Sequence, residues 1–161
     1  MHVRSVQSKE WASLRDIRLR ALADAPSAFG SSLAREQDRT EADWRRWLEN
    51  RDGTMFACVD DDEAWVGIAG TYVEDEDPDL VWVVSMWVAP EARRRGAGRL
   101  LLDTCVDWAR SRRAHEARLW VTMGNVAAQA LYEAAGFRPT GGSQPLPSDP
   151  SIAESELSLR L

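Results

Sequence analysis

The chain has a single lysine, two histidines and two cysteines, and each shortage excludes something. Cys58 and Cys105 belong to no metal-type or Cys-x-x-Cys spacing, which sets aside a zinc site, a redox pair and a disulfide framework. Both read as reduced, buried small hydrophobes. His2 and His115 have no catalytic context and read as exposed. No apolar run approaches the roughly 18 residues of a membrane span, and no basic segment followed by an apolar one opens the chain. The expectation is therefore a cytoplasmic protein with no membrane partner. Lys9 is the only lysine, yet basic charge is plentiful as arginine. The net charge of −6 argues against a nucleic-acid partner and slightly favours a cationic or neutral substrate.

What is present fits one domain over residues 1–161. A content of 44% apolar and 29% charged residues is ordinary for a soluble fold, and the length suffices for a core without staples. His2 to Val6 can start a strand. Ser8 is the expected N-cap of a helix over 9–24, with Trp11, Leu14, Ile17 or Arg18, and Leu22 at helical spacing and Ala25-Pro26 ending it. Residues 27–37 read as irregular or a short helix, and Thr40 with Asp43 approximates a capping box for a helix to about Asn50. The period then changes. Strands are expected over 54–60, 64–73 and 80–89, the acidic runs Asp60–Glu63 and Glu74–Asp77 being solvated turns between them. The nearly continuous apolar run Val81–Val84 marks the third as a central strand covered on both faces. A helix over 97–113, a strand over 118–123, a helix over 126–135 closed by Gly136, and a strand beginning at Phe137 follow. The proline-bearing stretch 141–150 reads as a loop, and 156–161 alternates as a last strand, able to pair within the chain or across a homodimer. The order is βααβββαβαββ, which predicts an α/β (α+β) fold: a mixed central sheet of about six to seven strands with helices on both faces.

The most informative stretch runs from Val88 to Arg99. A buried strand ends at Pro90, and a helix begins inside Arg93-Arg94-Arg95-Gly96-Ala97-Gly98-Arg99. Free amides at a helix N-terminus, the helix dipole and three consecutive arginines suit a phosphate or pyrophosphate, and Gly96 and Gly98 let backbone approach it. No Lys-Ser or Lys-Thr follows the glycines, and the spacing is not Gly-x-Gly-x-x-Gly, so nucleoside-triphosphatase and dinucleotide readings are disfavoured. A plain turn with a surface arginine cluster is the alternative.

Arg93–Gly98 resembles the Arg/Gln-x-x-Gly-x-Gly/Ala pyrophosphate loop of the GNAT N-acetyltransferases, and Met86–Pro90 resembles the strand end before it. Asn125 to Phe137 is similar to that family's second signature, Asn-x-x-Ala-x-x-Leu-Tyr-x-x-x-Gly-Phe, and Arg18–Leu22 with Pro26 and Phe29 to its first helix and loop. The resemblance implies a GNAT-like sheet and an acetyl-CoA (CoA) cofactor. It also implies transfer of acetyl to the primary amine of a small molecule or peptide by direct attack. The third strand and strand 118–123 are expected to splay, with Met86, Trp87 and Val88 pairing to pantetheine through backbone, an amide near Trp87 or Val88 stabilising the oxyanion, and Arg93–Arg99 holding the pyrophosphate. Tyr132 is the expected general acid, and Asn125 is a helix cap that can also touch pantetheine.

The base is open. Val81–Val84 supplies no glutamate where many relatives carry one, and Ser85 can only position a water. Glu36 is the leading carboxylate, Asp38 and Asp79 are further candidates, and an ordered-water relay is an equal alternative. Cys105, on the core face of its helix, argues against a thiol nucleophile. Trp87 with Phe29 is a candidate wall of the acceptor pocket. A CoA-binding sensor with weak catalysis and a scaffold for other anions are the competing functions. No metal is expected.

Overall fold

The computed structural model describes residues 1–161 as a seven-stranded sheet with helices on both faces. Strand β1 (His2–Ser5) is followed by a 3-10 turn, α1 (Trp11–Asp24), α2 (Leu33–Glu36) and α3 (Glu41–Leu48). Then come β2 (Gly53–Val59), β3 (Trp65–Val73), β4 (Leu80–Val88), α4 (Ala97–Ser111), β5 (Glu116–Thr122), α5 (Val126–Ala134), β6 (Arg138–Leu146) and β7 (Asp149–Arg160). The sheet order is β1-β2-β3-β4-β5-β7-β6, antiparallel except for β4 beside β5. β7 pairs with β5 and β6 inside the chain, so the last strand needs no second copy.

Alternation along the strands divides the core in two. Phe56, Cys58, Ala69, Val83, Leu119 and Leu157 face the side where α4 places Leu101, Leu102 and Cys105. Met55, Ala57, Ile68 and Trp87 face α1 and α3, which supply Leu14, Ile17, Leu22 and the fully buried Trp44. β4 lies fourth in the order and is buried from both sides over Leu80–Val83, as its apolar run requires.

Two local devices set the second half. Thr40 and Asp43 exchange the side-chain to backbone hydrogen bonds of a capping box at α3. At the end of α5, Gly136 adopts φ +100°, Gly136 N–H donates to the Glu133 carbonyl at 3.0 Å, and Phe137 N–H donates to the Tyr132 carbonyl at 3.0 Å. That left-handed cap turns Phe137 into the core at 0% exposure, against the Tyr132 ring at a centroid distance of 6.2 Å.

Two expectations need correction. The stretch 141–150 is not a loop: β6 runs through it to Leu146 and β7 starts at Asp149, leaving Pro147 and Ser148 as the turn. β6 is the sheet edge, where Pro139 and Pro145 can lack an N–H without breaking a central ladder, and the register shifts beside them. Ser8 does not cap the first helix. The Glu10 carboxylate receives Gln7 N–H at 2.9 Å instead, and Ser8 Oγ donates to Glu49 Oε1 at 2.7 Å.

Phe137→Ala removes a fully enclosed ring and leaves a cavity, so it should lower the unfolding free energy by about 3–5 kcal/mol in urea titrations.

Candidate active site

The parallel ladder between β4 and β5 is short. It pairs Leu80 with Glu116, Val81 with Ala117 and Trp82 with Arg118, and then stops. Val83–Val88 and Leu119–Thr122 therefore diverge in the middle of the sheet. The cause on β4 is a bulge: Ile68 pairs with Trp87 but Gly70 with Val84, so Ala69 faces both Ser85 and Met86. Ser85 takes φ +57°, left-handed for a non-glycine residue, and the strand bends there. The stacked Trp82 and Trp120 rings, 5.9 Å apart and 8° from parallel, mark the place where pairing ends. The Trp82 indole donates to Glu74 Oε2 at 2.7 Å, so this acidic turn anchors a ring as well as facing solvent.

β4 leads through a 3-10 turn at Pro90–Ala92 to the start of α4. Leu100 is the first residue of that helix whose N–H finds a helical carbonyl, that of Gly96 at 3.0 Å, so the amides of the preceding turn point outward unpaired. Arg94 (φ +61°) and Gly96 (φ +90°) bend this backbone into a concavity of the kind that gathers amides around an anion. A Cβ at Gly96 would meet nothing within 4 Å, so the space before it is open. The two glycines differ in role: a Cβ on Gly98 would sit 3.1 Å from Leu131 Cδ2, so Gly98 lets α4 pack against α5.

The arginines differ as well. Arg94 and Arg95 are exposed and make no side-chain salt bridge. Arg93 is committed: its Nε donates to the Val88 carbonyl at 3.0 Å and its Nη2 pairs with Asp24. Arg99 Nε holds both oxygens of Asp103 at 2.9 Å, and its Nη1 reaches the Ala134 carbonyl at 3.3 Å, tying α4 to α5. As side chains, Arg93 and Arg99 brace the loop. Asp24 also accepts the Trp87 indole N–H at 2.9 Å, and with that bond and Arg93 its carboxyl is held below the usual range. Trp87 is consequently enclosed at 5% exposure on the α1 side, and the Phe29 ring lies beneath the Arg18 guanidinium at 4.6 Å, so neither forms an open pocket wall.

Glu36 does not stand as a base. It is fully buried, and its oxygens receive Arg18 Nε at 3.1 and 3.2 Å, Arg18 Nη2 at 2.9 Å and Arg39 Nη1 at 3.0 Å. A carboxylate held by two guanidinium groups has no oxygen free for an amine's proton. Arg18 Nη1 also donates to Ser85 Oγ at 3.1 Å, so one buried guanidinium links α1, α2 and the β4 bulge. The Ser85 hydroxyl keeps its own proton for donation. In the sequence Arg18 stood out only by its place beside Ile17 on the core-facing stripe of α1 and by the likeness of Arg18–Leu22 to the family's first helix.

Tyr132 is buried at 6% exposure among Val83, Leu119 and Val121 of the diverging strands. Burial, with a smaller contribution from Cys105, pushes its hydroxyl well above the ordinary phenol range, so it stays protonated. Its oxygen is absent from the fully enclosed unpartnered polar atoms, so it retains an opening. Cys105 is likewise pushed far up by burial and is inert as a nucleophile. Asn125 caps α5, its side chain accepting Ala128 N–H at 3.2 Å. His115 is 80% exposed, 3.6 Å from Asp79. No group of three or more His, Cys, Asp or Glu side chains could hold a metal ion, and no helix is long and apolar enough to cross a membrane.

A strand pair opening onto an unpaired helix N-terminus, with a protonated tyrosine beside the opening, defines a class. The model of the acetyltransferase (GNAT) family matches residues 11–137, and the chain belongs to that family. It is 29% identical over 123 residues to mycothiol acetyltransferase of Beutenbergia cavernae, covering 76% of this chain and 39% of that protein. It is 32% identical over 103 residues to human N-acetyltransferase 8, covering 62% of this chain and 44% of that one. The chain thus spans about two fifths of the length of the curated relatives it matches. The fold is that of the ribosomal-protein-alanine N-acetyltransferase from Brucella melitensis (TM-score 0.80, 20% identity, 100% of both chains). It is also that of a putative acetyltransferase from Salmonella typhimurium solved with acetyl-CoA (TM-score 0.80, 19% identity, 100% of this chain and 94% of that one).

Two variants test the braces. Glu36→Gln leaves Arg18 without its counter-charge in a buried setting and should destabilise the fold by about 3–5 kcal/mol in denaturant titrations. Asp24→Asn should cost stability at neutral pH. Because the folded pKa of Asp24 is depressed, its contribution is present above the unfolded carboxylate range and lost as pH falls through the folded value. The difference between the two proteins should therefore shrink from pH 7 to pH 3, and a constant gap would contradict the assignment.

Proposed function

We propose that the chain transfers the acetyl group of acetyl-CoA to a primary amine by direct attack in a ternary complex. The observation that carries this reading is the parting of β4 from β5 after Trp82 and Arg118, in line with the open amides before Leu100. The amides of Arg94–Arg99, with the free side chains of Arg94 and Arg95, suit a pyrophosphate. The β5-facing side of β4 over Met86, Trp87 and Val88, which has β3 on its other side and no strand partner here, suits an amide-bearing arm laid along it as an added strand. Acetyl-CoA supplies the thioester.

The chain's own residues do the rest. An amide at the β4 bulge, near Trp87 or Val88, faces the carbonyl oxygen as charge develops on it. The acceptor nitrogen bonds to the acetyl carbon, the carbon–sulfur bond breaks, and its electron pair leaves with sulfur. Tyr132 donates the proton that sulfur takes, for which its raised pKa keeps the hydroxyl loaded, and the proton that the new amide nitrogen sheds restores that hydroxyl. Enclosure of Tyr132 also keeps bulk water from that proton. Acceptors are small-molecule or peptide amines, a reading supported by the likeness to both a mycothiol acetyltransferase and a ribosomal-protein-alanine N-acetyltransferase.

Calorimetry with acetyl-CoA tests the donor site. Gly96→Glu adds bulk and negative charge to open space but also strains the backbone at φ +90°, so Gly96→Ala serves as the strain control: binding should be lost in the glutamate variant and retained in the alanine one. Tyr132→Phe should leave acetyl-CoA affinity unchanged and lower kcat by about 100-fold in thiol-release assays. A folded wild-type chain that does not bind acetyl-CoA would sink the proposal.

A further inference from the structure

With Glu36 locked between two arginines, the group that deprotonates the acceptor must come from elsewhere. On the face of the sheet that carries Trp82 and Trp120, β5 is met by the short 3-10 turn Pro26–Ala28. On β7, Leu157 and Leu159 point into the α4 core, so Glu154 and Glu156 lie on the face of Trp82 and Trp120. Its carboxylates are mostly engaged. Glu116 holds Arg118 at 2.7 Å, Glu156 accepts Thr140 Oγ1 at 2.7 Å with Arg118 at 3.8 Å, and Glu74 holds the Trp82 indole.

Glu154 differs. It is buried at 8% exposure and has no cationic partner; its Oε1 accepts only the Gln144 amide, at 2.7 Å. Its Oε2 has no hydrogen-bond partner within the chain and is not fully enclosed. A buried carboxylate with one oxygen fixed and the other unpartnered suits a ligand cation.

The register brings Glu154 to the reaction level. Trp82 is opposite Arg118, and the same number of residues separates Trp82 from Ser85 and Arg118 from Val121. Counted on from the last paired residues, the β4 bulge corresponds to Val121 and Thr122 across the gap, and Thr122 pairs with Glu154. The segment after α1 closes the space above: Thr122 Oγ1 donates to the Ser27 carbonyl at 2.7 Å, and Ser148 Oγ to the Phe29 carbonyl at 2.5 Å.

We infer that Glu154 is the catalytic base and that the acceptor arrives as a primary ammonium ion bound at its free Oε2; this rests on the acetyl-transfer reading above. The ammonium N–H bond breaks, the electron pair stays on nitrogen as the nucleophile, and the proton passes to Glu154 Oε2. The titratable neighbours are Glu156 on its own strand and Arg118 on β5. β6 contributes Gln144, and the Pro26–Ser32 segment contributes no charge.

The test compares wild type, E154Q and E154D with acetyl-CoA and three probes: tyramine, spermidine and an alanine-initiated hexapeptide. E154Q keeps a carbonyl for the Gln144 bond. It should retain acetyl-CoA affinity by calorimetry, lose about 100-fold in kcat/KM and lose the acidic limb of its pH profile, with E154D recovering part of the rate. An E154Q protein within about threefold of wild type and with the same pH profile overturns the assignment. So does a wild-type chain that binds acetyl-CoA but acetylates none of the three amines. Failure to bind acetyl-CoA at all would overturn the donor reading instead, which separates the two.

Discussion

Parallel strands in the middle of a sheet normally hydrogen-bond along their whole length, because unpaired backbone groups in an interior are costly. In this chain β4 and β5 separate after Trp82 and Arg118, and every functional feature is arranged around that separation. The bulge at Ser85 and Met86 turns β4 away. The buried Arg18 guanidinium holds the bulge by its Ser85 bond while Glu36 and Arg39 fix Arg18 in turn. On the other face Val83, Leu119 and Tyr132 share one core cluster, so the gap has an apolar floor.

Charge is distributed by task. Arg18, Arg93 and Arg99 serve as braces, each held by a carboxylate: Glu36, Asp24 and Asp103. The arginines left exposed and unpaired at the start of α4, Arg94 and Arg95, are those beside the open amides. The carboxylate left without a cation, Glu154, lies on β7, beyond β5 from the gap, on the side proposed for the acceptor. An anion-seeking end and a cation-seeking end on opposite sides of one opening would orient two reactants of opposite charge before any chemistry occurs.

Periodicity, turn chemistry and the two family signatures are local properties, and they were legible. The capping box at Thr40, the glycine stop at Gly136, the apolar run of β4 and the glycine–arginine turn at α4 all lie where the residues alone placed them. The start of β6 was legible, but its continuation through 141–146 was hidden because the prolines there argue for a loop; only its position at the sheet edge, a property of the whole order, makes them tolerable.

The amino-acid sequence by itself determined the element order, the phosphate-binding turn and Tyr132, since each depends on neighbours a few residues away. Tertiary structure alone decided which side chains remain free. Arg93 and Arg94 are chemically alike and adjacent in sequence, yet Asp24, at the end of a distant helix, occupies only the first. Glu36 and Glu154 are likewise both buried carboxylates, and only one of them meets arginine. Whether a charge is a brace or a reagent depends on its partners, and partners far apart in the chain meet only when it folds.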